Sequence, residues 1–210
     1  MALIQLQGVS KTIRRQQLLH EVSFSIEQGT ITVLTGINGS GKTLILKALL
    51  GLIRTKGIVT VNQEPLQLGQ RYPIRAGILI EMPAVLPEFS AYENLQLIAD
   101  LMPGVGDSAI RQVLKQFDLP TTKTTKVRHF SLGMKQKLGI GQAILGQNDL
   151  IVLDEPTNAL DTQSIENLIE ELRRLQRAGS TIVVASHDRD FVTAIADKVI
   201  RVEAGRAYEA

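Results

Sequence analysis

The segment Gly36–Thr43, GINGSGKT, joins an apolar run, Ile31-Thr32-Val33-Leu34, to a helix-like run from Leu44 to Leu50. The pattern G-x-x-x-x-G-K-[ST] in that setting requires a buried strand to end in a tight loop from which a helix starts. Glycine lets the loop curl so that successive N–H groups point inward at an anion. The helix expected from about Lys42 adds its positive end to the same place. Gly36, Asn38, Gly39, Ser40 and Gly41 would form the cradle. Lys42 would reach the β- and γ-phosphates of a nucleoside triphosphate, and the Thr43 hydroxyl would ligate Mg²⁺. The chain is therefore expected to bind a nucleoside triphosphate.

The remaining segments suit an α/β fold. Ile4-Gln5-Leu6-Gln7 and Val22-Ser23-Phe24-Ser25-Ile26 alternate apolar and polar residues, as half-buried strands do, which puts Phe24 in the core. They predict an N-terminal antiparallel β portion, and Gly57 to Val61 and Gly77 to Ile80 read as further strands. From Pro83 to Pro120 the pattern becomes helical. Ser90 and Glu93 form a capping box, and Leu95, Ile98, Leu101 and Met102 recur at helical spacing up to Pro103-Gly104. Asp107 is expected to cap a second helix bearing Ile110, Val113, Leu114 and Phe117. A helical subdomain over about 83–146, with its own small core, is thus predicted as an insertion in a single domain spanning 1–210. The strand–helix alternation then resumes: Leu150–Leu153 and Thr181–Ala185 are continuous apolar runs, and Asp161 caps a helix carrying Leu168, Leu172 and Leu175. Strands alternating with helices around a phosphate loop imply a largely parallel sheet covered on both faces.

Composition narrows the setting. The 210 residues carry a net charge of +2 with no dense basic tract, so no electrostatic footprint of nucleic acid is present. The absence of cysteine excludes disulfides and thiolate metal sites. MALIQLQGVSK lacks the form of a signal peptide, and no apolar run approaches the ~18 residues of a membrane span. A cytoplasmic protein is expected.

Asp154 and Glu155 follow directly on a buried strand, at the carboxyl end where open α/β sheets place ligands. Asp154 is placed to hold Mg²⁺ opposite Thr43, and Glu155 to polarise an attacking water, work worth roughly 10²–10⁴-fold in rate. His187 closes another buried strand, within reach of a γ-phosphate. Ser131 and Gly133, in FSLGMKQ, open a helix and offer a hydroxyl and a close backbone approach to a second anion.

Taken in order, GINGSGKT, FSLGMKQ, LIVLDEPTNALD and SHD resemble the ATP-binding cassette (ABC) ATPases, the nucleotide-binding subunits of ABC transporters. The resemblance covers nearly the whole chain. It implies ATP as the nucleotide, Lys42 and Thr43 on phosphate and Mg²⁺, Asp154 on the metal side, Glu155 as catalytic base and His187 as the γ-phosphate switch. Ser131 and Gly133 match the signature that reads ATP held by a second subunit, and Asp161 the aspartate that crosses between two sites. The partners implied are a second nucleotide-binding subunit, arranged head to tail, and a membrane permease that would hold the chain at the inner face of the membrane. A soluble cassette ATPase working on a non-membrane scaffold is the alternative.

Three departures stand out. Ile13 occupies the position where the family stacks an aromatic ring on adenine. Leu132 and Met134 replace the commonest signature residues, glycine and glutamine. Glu81 stands where most members carry a metal-side glutamine; with SLGMKQ it resembles the branch that exports bacitracin-like or lantibiotic peptides.

Overall fold

The computed structural model describes residues 1–209. β1 (Ala2–Ile13) and β2 (Gln16–Glu27) form a long hairpin, turned by Arg14 and Arg15 in the left-handed region that a tight two-residue turn needs. The chain then runs through β3 (Ile31–Thr35), the glycine-rich loop and α1 (Lys42–Leu49). β4 (Lys56–Val61) and β5 (Glu64–Pro65) join the hairpin in an antiparallel sheet of order β2-β1-β4-β5. β6 (Ala76–Leu79) leads to α2 (Ala91–Ala99), α3 (Asp107–Gln116), a 3₁₀ turn at Val127–His129 and α4 (Leu132–Ile144). β7 (Leu150–Asp154), α5 (Thr162–Arg177), β8 (Thr181–Ser186), α6 (Arg189–Ile195), β9 (Lys198–Glu203) and β10 (Arg206–Glu209) complete the chain. The second sheet has the order β10-β9-β3-β8-β7-β6 and is parallel except for β10.

The period-2 geometry of strands explains the two cores. Along β7, Leu150 and Val152 pack toward α1 and the antiparallel sheet, while Ile151 and Leu153 pack toward the helices on the opposite face. β8 divides in the same way, with Val183 and Ala185 on one side and Ile182 and Val184 on the other. α1, with Ile45, Leu46 and Leu49 buried, lies between the two sheets, where its all-round apolar sequence belongs.

Within 83–146 lie α2, α3 and α4 with loops between them, and their Leu95, Ile110, Leu114 and Leu138 share one buried cluster with Ile151 and Val184 of the sheet. Several expectations are corrected. Asp107 is the first residue of α3, not its cap; Gly106 holds the cap position. The Asp107 carboxylate instead accepts from the Tyr92 hydroxyl (2.7 Å) and Arg111 Nε (2.8 Å). α2 ends at Ala99, before Pro103, because the chain tightens there: Leu101 N–H donates to Ile98 and Met102 N–H to Ala99. That tightening swings Leu101 off the apolar face, leaving it 82% exposed. The Ser90–Glu93 capping box is present, with Glu93 Oε2 2.7 Å from Ser90 N, and it holds the Glu93 carboxyl down to about 2.

β10 braces the glycine-rich loop. In the turn between β9 and β10, Gly205 donates its N–H to Ser40 O (2.8 Å) and accepts from His20 N (2.9 Å). Its φ is 75°, and a Cβ there would lie 2.2 Å from Leu18 O. Gly205→Ala is therefore expected to lower unfolding free energy by roughly 1–3 kcal/mol. It should also weaken nucleotide binding by loosening the loop. Urea denaturation and a nucleotide titration check this; unchanged stability and binding would separate the turn from the loop.

Candidate functional site

The loop after β3 is shaped by glycine where no other residue fits. Gly36 has φ 153° and a Cβ on it would lie 2.2 Å from Val202 O; Gly41 has φ 113° and precedes α1. No side chain caps α1, so its first N–H groups are available to a ligand. Lys42, 5% exposed, folds back over the loop. Its Nζ donates to Gly36 O (2.7 Å) and lies 3.1 Å from Glu155 Oε1, an ionic contact without hydrogen-bond alignment.

β7 delivers the two carboxylates. Asp154 is buried, and its Oδ2 accepts from Thr43 Oγ1 at 2.8 Å. Burial pushes the Asp154 carboxyl up, against the lowering effect of the bonds from Thr43 and from the Glu81 N–H. Glu155 turns into the left-handed region, with φ 46° and its N–H on Ala185 O at 2.8 Å. That turn brings Glu155 Oε2 to 2.8 Å from His187 Nδ1 at the end of β8.

Lys42, Thr43, Asp154, Glu155 and His187 thus come together around one loop. A cleft of about 310 Å³ opens there, lined by residues 38–44 with Glu81, Asp154, Glu155 and Asn158. Asp154 Oδ1 and Ser40 Oγ are buried without a partner. The unsatisfied Asp154 Oδ1, on the carboxylate that Thr43 already bonds, fits a Mg²⁺ ion, which typically takes one or two protein ligands and completes its shell with phosphate and water.

Of the other predicted residues, Ile13, Ser131, Gly133 and Asp161 lie outside the cleft lining. Glu81 lines the cleft with a left-handed backbone (φ 61°), and its carboxylate stands 2.6 Å from Lys47 Nζ on α1. Ile13 ends β1 opposite Gln16, 43% exposed and outside the cleft lining. Ser131 caps α4, accepting from Met134 N at 3.1 Å, with Leu132 exposed beside it. Gly133 packs so closely on the loop after Glu155 that a Cβ would lie 2.5 Å from Ala159 O. Asp161 caps α5 as read, accepting from Ser164 N at 2.8 Å. Sequence reasoning missed Lys47, Asn158 and Gln136. Asn158 and Gln136 stood inside quoted motifs, whereas Lys47 gave no signal beyond its place one turn after Thr43.

The sequence profile of the ABC transporter family matches residues 19–158. The chain is 35% identical to the uncharacterized ABC transporter ATP-binding protein YybJ of Bacillus subtilis, over 97% of this chain and 94% of that protein. It is 34% identical to the lantibiotic transport ATP-binding protein SrtF of Streptococcus pyogenes, over 93% of this chain and 84% of that one. A solved structure of the ATP-binding subunit of an ABC transporter superposes with a TM-score of 0.88, at 27% identity, over 99% of this chain and 89% of the other. The chain belongs to the ABC transporter family and is an ATPase subunit of such a transporter.

Proposed function

We propose that this chain hydrolyses MgATP at the cleft between Lys42 and Glu155 and so drives a membrane permease that exports a peptide antibiotic or related compound. The observation that carries the reading is the cluster itself: Lys42, Glu155 and His187 joined by contacts of 3.1 and 2.8 Å beside the unpartnered Asp154 Oδ1. The triphosphate draws the Lys42 ammonium from Glu155 and the Gly36 carbonyl onto its own oxygens. Glu155 is then free to accept a proton from the water that attacks the γ-phosphorus. The bond from that phosphorus to the β–γ bridging oxygen breaks, giving ADP and phosphate. His187 hydrogen-bonds the transferring group. Thr43 and Asp154 would hold Mg²⁺, which would supply neutralisation of the developing phosphate charge.

Ser131 and Gly133 do not line this cleft; they lie at a helix start whose Leu132 is exposed. They suit the γ-phosphate of ATP held by a second nucleotide-binding subunit, with Asp161 near the same junction. The permease surface is assigned to the segment 81–94, where Met82, Leu86 and Phe89 are exposed. Among the described residues no helix is long and apolar enough to cross a membrane, so a permease subunit would supply the pathway. The working place is then the cytoplasmic face of the membrane. Peptide export is supported by the name of SrtF together with Glu81 and the SLGMKQ signature.

Turnover is tested directly. Glu155→Gln is expected to bind MgATP, to lose steady-state hydrolysis and to accumulate an ATP-bound dimer on size exclusion. Lys42→Ala is expected to lose nucleotide binding. Near-normal hydrolysis by Glu155→Gln would falsify the catalytic assignment.

The base site follows from Ile13. With no aromatic ring there, ATP and GTP are expected to bind alike. Ile13→Tyr should tighten ATP by roughly 1–3 kcal/mol at most, the size of one stacking contact. Titration with both nucleotides checks this, and an unchanged ATP affinity would remove Ile13 from the base site.

Glu81 is assigned to coupling. Its carboxylate sits on Lys47 at the root of the 81–94 segment, so Glu81→Gln should leave ATP affinity and basal hydrolysis within a few-fold. It should nevertheless reduce drug resistance in cells carrying the permease, and Glu81→Ala should reduce it further. Full resistance from the alanine variant at matched expression would sink the coupling role.

A further inference from the structure

Glu155 adopts a backbone conformation, φ 46°, that glycine accepts readily and glutamate does not. Several contacts hold it there. Its N–H is fixed on Ala185 O (2.8 Å), and its carboxylate lies against Lys42 and His187. On the reading above, the two side-chain tethers are lost during the cycle, since Lys42 moves to phosphate and His187 turns to the γ-phosphoryl group. One further tether does not involve the carboxylate at all.

Gln136 lies one turn inside α4 and is 8% exposed. Its Nε2 donates to the carbonyl of Glu155 (3.3 Å) and to that of Pro156 (3.2 Å). One side-chain amide thus grips two consecutive peptide carbonyls immediately after the glutamate. Fixing those carbonyls fixes ψ of Glu155, and with it the direction in which the side chain leaves the backbone. At the first turn of the same helix, Gly133 is pressed against Ala159 O, in a residue that is itself left-handed at φ 61°. α4 therefore holds the segment 155–159 at both ends.

We infer that Gln136 is a positioning residue for Glu155: its amide locks the Glu155–Pro156 peptide so that the carboxylate stays aimed into the cleft after Lys42 has left it. The inference rests on Glu155 being the base. Because Ser131 and Gly133 begin the same helix, the lock also ties the aim of this chain's glutamate to the place of its own signature segment.

The test uses the full chain. Gln136→Leu removes both donors, and Gln136→Glu keeps the shape but sets a carboxylate against two carbonyl oxygens. Each is expected to lower kcat by roughly 10- to 100-fold, the penalty for a misaimed group, while MgATP affinity stays within about twofold. The double variant Glu155→Gln/Gln136→Leu is expected to form the ATP-bound dimer as Glu155→Gln does. A general structural defect would instead weaken nucleotide binding and dimer formation together, and that result overturns the role. So does normal kcat in either variant when Glu155→Gln is inactive. Should one variant fail to fold, the kcat and affinity of the other decide. Hydrolysis by Glu155→Gln alone would overturn the assignment of the base, and the positioning role with it.

Discussion

The interaction on which this structure depends is the buried ammonium of Lys42. An unpaired charge at that depth would cost several kcal/mol, and removing one partner of a buried pair typically costs about 3–5 kcal/mol. Lys42 avoids that cost by bonding the Gly36 carbonyl and standing 3.1 Å from Glu155. The carbonyl bond closes the glycine-rich loop on itself. The ionic contact reaches across from α1 to the end of β7 and offsets repulsion between the adjacent carboxylates Asp154 and Glu155. Thr43 makes the matching bond to Asp154, so two consecutive residues of α1 hold two consecutive residues at the end of β7.

That match needs accurate placement of α1 over the sheet, and the fold provides it by burial from both sides. β3 sits between β8 and β9 in parallel register, which sets the height at which the loop leaves the sheet. Below the loop, β9 contributes the Val202 carbonyl, against which only glycine at 36 can pack, and the turn to β10 contributes Gly205, which binds Ser40. The last hairpin thus fixes the floor of the site although it supplies no reactive group.

Much of this was readable from the sequence because the constraints were local. GINGSGKT announces its positive-φ positions with glycine. The apolar runs of β7 and β8 announce burial on both faces, which puts Asp154, Glu155 and His187 at one sheet edge. What could not be read is tertiary. Glu81, Glu155 and Ala159 occupy left-handed conformations without being glycine, and only their surroundings explain them. Asp107 has the chemistry of a cap, but the Tyr92 hydroxyl and Arg111 claim its oxygens. Ile98, Leu101 and Met102 continue a helical period that the backbone abandons at Ala99. Glu81 carries a charge suited to a metal, and its contact with Lys47, one turn beyond Thr43 on α1, had no signal in the sequence.

The resting contacts also explain why such a site should not work until it is filled. Each group assigned to the chemistry is occupied by a neighbour: Glu155 by Lys42 and His187, Asp154 by Thr43. A triphosphate is a better partner for Lys42 than one carboxylate is, because it carries more charge and more acceptor oxygens. On the proposed mechanism its arrival would exchange an internal ion pair for a substrate contact and release Glu155 in the same step, so the activating charge shift would be built into binding. The signature pair Ser131 and Gly133 lies outside that exchange, but α4 carries it on the same rigid element as Gln136. If the start of α4 binds a phosphate as proposed, that phosphate and the glutamate held from the second turn share one body. A contact made outside the cleft then bears on the backbone that aims Glu155.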